Sequence, residues 1–189
     1  MHKTKKMKLN LGCWHRNIPG FINIDLCDFP HIDYKSSIDD LSMFEESTID
    51  LIYSSHSFEY FDRQKAVSVL KEWRRVLKPN GTLRLAVPDF DKLIQVYQKT
   101  EKLEKILGPL YGRMEINTPE GLKMLYHKTV YSFNSLKNVL EENGFTSVNR
   151  YDWKDTVHKD FDDHSQAYFP HMDKENGTLL SLNVEALKA

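Results

Sequence analysis

Residues 7–25, MKLNLGCWHRNIPGFINID, leave this chain few folds to choose from. Met7, Leu9 and Leu11 alternate as strand residues do, and Gly12 ends the run where the backbone must turn sharply. Pro19-Gly20 is a turn pair, and Phe21, Ile22 and Ile24 begin a second apolar run that stops at Asp25. Only eight residues separate Gly12 from Phe21. A helical crossover between parallel strands needs about a dozen, so a helix here is very short or absent. In open α/β sheets ligands bind beyond the carboxyl ends of the strands, and a glycine turn followed by an acid at the next strand tip is how such folds hold an adenosine ribose. A carboxylate suits that role because it accepts hydrogen bonds from both ribose hydroxyls. Without a helix N-terminus at the turn, Arg16 and the loop N–H groups are left to face the anionic part of the ligand.

The remaining chain alternates strands and helices, the pattern of a mostly parallel sheet covered by helices on both faces. Residues 28–47 are loop-rich, with one weak strand near Ser37–Ile38 and then Asp39-Asp40-Leu41. Thr48–Ser54 is a clear strand that runs into Ser55-His56-Ser57, small or polar residues where a strand tip opens into a cleft. Asp62 caps a helix over RQKAVSVLKEWRRVLK, whose Ala66, Val69, Leu70, Trp73, Val76 and Leu77 fall on one face for packing on a sheet. Lys78-Pro79-Asn80-Gly81 breaks it, Thr82–Val87 is the next strand, and Pro88-Asp89 stands at its tip. The spacing predicts one helix over Phe90–Lys105. Residues 106–131 carry Gly108-Pro109, Gly112, Pro119 and Gly121 without a clear period and read as an inserted lid or substrate loop. A helix at Ser132–Asn143 ends on Gly144, then come a strand at Phe145–Tyr151, a polar loop at 152–176 and a last strand at Thr178–Val184.

The totals exclude several classes. At 189 residues the chain is one domain, 1–189, with an insertion. Twenty-six basic against 27 acidic residues give a net charge of −1 and no general case for nucleic acid or an anionic membrane, although Arg74, Arg75, Lys78 and Arg84 form a local basic cluster. No apolar run approaches the roughly 20 residues that span a bilayer. The start, MHKTKKMK, has charge but no apolar stretch behind it, so it does not read as a signal peptide, and Lys3, Lys5, Lys6 and Lys8 read as a solvated lead-in. Two cysteines, Cys13 and Cys27, make no disulfide framework, which points to a reducing cytoplasm.

Taken in order, KLNLGCWHRNIPGFINIDL, YSSHSFEYF, VLKEWRRVLKPNGTLRLAVPDFDKL, HKTVYSFNSLKNVLEENGF and SLNVEALK resemble the class I S-adenosylmethionine-dependent methyltransferases. The likeness is nearest to a small group of predicted methyltransferases, some linked to cell-surface polysaccharide synthesis. It implies a Rossmann-like sheet whose last strand is antiparallel. It also implies that Gly12, Cys13 and Trp14 lie against the methionine and ribose portions of the cofactor. Asp25 would hold the ribose hydroxyls, Asp40 and Leu41 would flank the adenine, and Ser55 and His56 would line the floor near the sulfonium. The chain departs from the group at Trp14, where a second glycine is usual, and at Tyr60, where a histidine often follows the acid corresponding to Glu59.

An oxygen acceptor needs a general base, for which His56, His127 and Asp89 are the candidates; Asp89 reads equally as a helix cap, and Trp14 as pocket wall or packing residue. His158, Asp162, Asp163, His164 and His171 match no metal-ligand spacing, so no metal is expected, and they suit a polar acceptor instead. The expected function is methyl transfer to a small polar acceptor, a sugar or nucleotide-sugar precursor, in the cytoplasm. The alternative is a non-catalytic binding or partner module whose cofactor pocket is altered at Trp14 and Tyr60. A nicotinamide oxidoreductase is disfavoured, since the next glycine after Gly12 is Gly20 and Gly-x-Gly-x-x-Gly is absent.

Overall fold

A computed structural model describes residues 6–118 and 121–189; Lys3, Lys5 and Pro119 lie outside the described residues. β1 (Lys8–Leu11) and β2 (Ile22–Asp25) run parallel with Leu9 opposite Ile22, and no helix separates them. The weak strand expected at Ser37–Ile38 is instead β3, Tyr34–Lys35, a two-residue edge strand with both side chains exposed. β4 (Ile49–Ser55) lies on the other side of β1. α1 (Arg63–Val76) follows, capped by the Asp62 carboxylate, which accepts from the Gln64 and Lys65 amides. Its apolar stripe is buried as the spacing requires, and the Trp73 indole N–H donates to the Ile38 carbonyl at 2.7 Å, satisfying the one polar atom of a fully buried ring.

β5 (Leu77–Pro88) starts earlier than the sequence suggests. Leu77 pairs with Ile49 and Thr82 with Leu51, so residues 78–81 bulge from the ladder, with Asn80 in the left-handed region at φ 60°. The helix expected over Phe90–Lys105 is two helices. α2 (Phe90–Thr100) stops at Glu101, which takes φ 54°, and α3 (Glu104–Tyr111) starts again beyond it. The insertion then forms an antiparallel hairpin of β6 (Met114–Thr118) and β7 (Gly121–Leu125). α4 (Phe133–Glu142) is held by a capping box between Ser132 and Ser135 and leads to β8 (Phe145–Arg150). The polar loop carries two single-turn helices and the small pair β9 (Tyr168–Phe169) with β10 (Thr178–Leu179). Leu180 separates this pair from β11 (Ser181–Lys188), so the last strand lies further along than Thr178–Val184.

The main sheet has the order β3-β2-β1-β4-β5-β11-β8. Its first five strands are parallel, and β11 runs antiparallel between β5 and β8. Leu9, Leu11, Ile24, Ile52, Leu83 and Leu85 meet Trp73 and the rest of the α1 stripe in one core. A second core, under Leu93, Val96 and Ile106, seats α2 and α3 on Leu180. Among the described residues no helix is long and apolar enough to cross a membrane. The basic cluster is tied down, with Arg75 on Glu72, Lys78 on Asp50, Arg84 on Glu185, and the Arg74 guanidinium on the Gly144 carbonyl.

Candidate active site

Two buried asparagines on neighbouring strands fix the turn after β1. The Asn10 side chain donates to Asn23 Oδ1 at 2.9 Å and to the Arg16 carbonyl at 3.1 Å, pinning the loop across the strand ends. Gly12 turns at φ 66°, and a Cβ there would sit 2.2 Å from Ser57 Oγ. Only glycine lets the turn close against the loop that follows β4. Trp14 also lies in the left-handed region, at φ 47°, although it carries a bulky side chain. Asp25 holds it there: one carboxylate oxygen accepts from the Trp14 amide at 2.7 Å and the other from the Cys27 amide at 2.8 Å. The Trp14 carbonyl meets His31 Nε2 at 2.9 Å. Burial, with Asp25 nearby, pushes the Cys13 thiol up to about 12, so it is an inert wall and no nucleophile.

Beyond this turn a cavity of about 380 Å³ opens at the carboxyl ends of β1 and β4, within the range of roughly 300–1,000 Å³ that small-ligand sites occupy. Gly12, Cys13, Trp14 and Arg16 line one side, Ser55 and His56 the floor, and Gly108, Pro109, Gly112 and His127 of the insertion the roof. The Arg16 guanidinium has no side-chain partner among the described residues. A second cavity, of about 580 Å³, lies over the β2 tip between Cys27, Phe29 and Lys35 and the Glu115 and Asn117 side of the hairpin. The Trp14 indole lines both cavities.

His56 sits one residue past β4 at φ 51° with its amide bonded to the Ala86 carbonyl, so backbone geometry rather than a helix aims its ring. Its Nε2 lies 3.0 Å from Ser181 Oγ and its Nδ1 3.5 Å from a carboxylate oxygen of Glu59. His127 reaches the same oxygen from the insertion, Nε2 at 3.7 Å, while its Nδ1 bonds the Pro109 carbonyl at 3.0 Å. Glu59 is fully buried on a short helical turn (Phe58–Tyr60), and burial pushes its carboxyl up to about 8. Burial holds both imidazoles below their ordinary range, His56 well below it.

The polar loop closes the third side. The Asp163 carboxylate accepts from the Tyr53 hydroxyl at 2.6 Å, the Ser165 amide at 2.8 Å and the Ser55 hydroxyl at 3.3 Å. His164 stands 5.2 Å from the His56 ring and lines the cavity. His158 is stacked on Tyr53 at 3.9 Å, away from the cavity wall, and burial lowers it to about 4. His171 is exposed, and among the described residues no group of three His, Cys, Asp or Glu side chains is placed to hold a metal ion.

Of the residues singled out in the sequence, Gly12, Cys13, Trp14, Arg16, Ser55, His56 and His127 come together around the first cavity. Asp25 stands behind the turn with 8% of its surface exposed. Asp40 and Leu41 do not reach either cavity. Leu41 is in the main core, its amide bonded to Glu72 and its carbonyl to Arg75, and Asp40 is exposed on the Ser42 side. Asp89 is 1% exposed, caps α2 through the Asp91 amide and pairs with Arg150, so it acts on a helix end and not on the cavity. Asn10 and Asn23 were legible only as polar residues inside apolar strands. The burial of Glu59 had no sequence signal, since it depends on the amides of Lys128 and Thr129 bonding its carbonyl from far along the chain.

This fold is that of the S-adenosylmethionine-dependent methyltransferases. Over the full chain it matches one from Thermotoga maritima with a TM-score of 0.58 at 13% identity, covering 84% of that chain. It also matches the Burkholderia thailandensis 1,6-didemethyltoxoflavin-N1-methyltransferase, solved with its substrate and S-adenosylhomocysteine, with a TM-score of 0.54 at 11% identity, covering 97% of this chain and 71% of that one. Residues 23–85 match the family described as the methyltransferase domain. An uncharacterized methyltransferase of Schizosaccharomyces pombe is 29% identical over 151 residues, 71% of this chain; the chain spans only 57% of that relative's length.

Proposed function

We propose that the chain is an S-adenosylmethionine-dependent methyltransferase acting on a small polar acceptor, a sugar or nucleotide-sugar precursor of a surface polysaccharide. The observation that carries this reading is the Asp25 carboxylate beside the Gly12 turn. One of its oxygens accepts from the Trp14 amide and the other from the Cys27 amide, and a carboxylate oxygen can accept a second bond, here from a ribose hydroxyl. Arg16 supplies a cation for the carboxylate end of the cofactor, and the cavity beside Phe29 gives the adenosine end a place over the β2 tip. When bound, the cofactor supplies an already activated sulfonium methyl, so the protein's main tasks are to align the acceptor and exclude water. Ser55 and His56 form the floor of the acceptor side, and residues 106–131 act as its lid through Pro109, Gly112 and His127. Neutral imidazoles can accept from or donate to the hydroxyl groups of a sugar ring. Both cysteines are free thiols, which favours a cytoplasmic setting.

One observation favours a second reading, a binding module without catalysis: the Trp14 indole stands where the two cavities meet. Titration calorimetry with S-adenosylmethionine and S-adenosylhomocysteine separates the two. Micromolar binding, about −8 kcal/mol, by the unaltered protein supports the enzyme. Binding that appears only in Trp14→Gly supports the module, and no binding by either folded protein refutes a cofactor site.

A further inference from the structure

Glu59 is fully buried behind His56 and His127, which line the cavity, and neither of its carboxylate oxygens is hydrogen-bonded to the protein. An unpartnered buried carboxylate is costly, so the proton inventory around it matters. The far partners of the two histidines fix it. Asn183 donates its amide to the Ser165 carbonyl at 2.9 Å, which leaves its Oδ1 as an acceptor, and the Ser181 hydroxyl donates to that oxygen at 2.9 Å. The one proton of Ser181 is thereby used, so Ser181 must accept from His56 Nε2–H. His56 then turns the lone pair of Nδ1 toward Glu59, 3.5 Å away. The Pro109 carbonyl can only accept, so His127 donates Nδ1–H to it and turns the lone pair of Nε2 toward the same Glu59 oxygen at 3.7 Å.

Three acceptors therefore converge on one point, and they repel one another unless a proton lies among them. The other titratable groups facing Glu59 add no charge. Tyr60, on its own turn, and Tyr131, on the segment after the hairpin, are both held neutral by burial with Glu59 beside them. No lysine or arginine forms an ion pair with Glu59 among the described residues.

We propose that Glu59 is the proton-holding member of a three-residue acid–base group with His56 and His127, and that this group takes the proton of a hydroxyl acceptor. At rest the neutral Glu59 carboxyl donates to one of the two imidazole lone pairs, and the other faces the same carboxyl without a proton. Once Glu59 has lost its proton to solvent, an imidazole nitrogen accepts the acceptor's proton as the acceptor's O–H bond breaks. The resulting imidazolium is balanced by the Glu59 carboxylate beside it. Glu59 touches no acceptor itself and is a positioning residue. The assignment deepens the methyltransferase reading by naming a hydroxyl as the acceptor class, and it rests on that reading.

The test needs no acceptor. Full-length protein labelled with ¹⁵N-histidine and ¹³C-carboxyl glutamate is titrated by NMR from pH 5 to 10, as the unaltered chain and as Glu59→Gln. The expected result is a Nε2–H tautomer for His56 and a Nδ1–H tautomer for His127. One buried carboxyl should titrate near pH 8, with a matching inflection in both rings that vanishes in Glu59→Gln. A glutamine N–H can replace the carboxyl proton, so the variant should fold. The carboxyl signal of the unaltered chain decides the matter even where the variant does not. The proposal is overturned by a Glu59 carboxyl titrating in the ordinary range, or by rings whose inflection survives the substitution. Calorimetry with S-adenosylhomocysteine runs alongside: loss of binding by the unaltered protein refutes the methyltransferase reading, whereas the NMR result alone decides where the proton sits.

Discussion

Asp25 does two jobs that one substitution can separate. Its carboxylate accepts from the Trp14 amide at 2.7 Å and from the Cys27 amide at 2.8 Å, and these bonds hold a left-handed tryptophan in the turn. Asparagine keeps the shape but presents one acceptor and one NH₂, so it keeps one bond and sets a donor against a donor at the other. A hydrogen bond to a charged group contributes about 1.5–3 kcal/mol. Asp25→Asn should therefore destabilise the fold by about 3 kcal/mol, and Asp25→Ala, which loses both bonds, by about 4–5 kcal/mol on the same scale. Urea denaturation followed by tryptophan fluorescence measures this, with the m-value checking that the unfolded state is unchanged. A loss below about 1 kcal/mol in Asp25→Asn with an unchanged m-value would refute the claim that this carboxylate organises the turn. The result also governs how binding data are read. Loss of cofactor affinity in Asp25→Ala identifies a ribose contact only when the turn is shown by its Trp14 and Cys27 amide shifts to be intact.

Three further outcomes follow from the same geometry. Trp14→Gly relieves a positive φ worth about 1–2 kcal/mol while losing the contacts of a half-exposed indole; stability should stay within about 1 kcal/mol, and S-adenosylhomocysteine should bind at least about tenfold tighter, about 1.4 kcal/mol, by calorimetry. Glu59 is raised in the folded state from 4.5 to about 8, so its contribution to stability is full below about pH 4.5 and is lost as the pH rises toward 8. At about 1.4 kcal/mol for each pH unit the loss is on the order of 5 kcal/mol, and Glu59→Gln should flatten it; parallel urea-stability curves for the two proteins between pH 5 and 8 would show that no such proton exists. Tyr53→Phe removes a 2.6 Å donor from the buried Asp163 carboxylate and should cost about 2 kcal/mol in denaturation, with the Ser165 amide losing hydrogen-exchange protection as the polar loop loosens.

Where local chemistry decided structure, the sequence was readable. The stripe from Ala66 to Val76 with its Asp62 cap became α1, because spacing and cap agree with the burial that the sheet supplies, while Leu77, expected on the same face, and Lys78 went to β5 instead. The break at Glu101 was not readable, since no glycine or proline marks it and the left-handed turn is imposed by α3 folding back onto the second core. β3 was misplaced because a two-residue exposed edge strand carries no hydrophobic period. In the site, Gly12 and the polar residues at the tip of β4 announced themselves by position along a strand. Asp163 was legible only as one of several acceptor-side acids and Glu59 only through the family likeness. The bonds of Asp163 and the burial of Glu59 were not, because their environments are assembled from segments distant in the chain, Tyr53 under Asp163 and the 127–131 segment over Glu59. Leu41 erred in the opposite direction: it is apolar, and the Glu72–Arg75 pair draws its backbone into the core.

The place of β11 sets an order of assembly. It pairs along its length with β5 on one side and β8 on the other, so nothing else can fill that gap in the sheet. As the chain leaves the ribosome, β1 to β5 can pair among themselves, but the outer edge of β5 stays open and β8 has no neighbour until residues 181–188 have emerged. Open strand edges invite pairing with other chains, and the interval is about 90–100 residues of synthesis, some seconds at ordinary elongation rates. β11 also carries Ser181, the hydroxyl that orients His56. The residue that aims the imidazole thus arrives with the strand that covers the open edge of β5, and the site gains its proton geometry only when β5 and β8 have been joined.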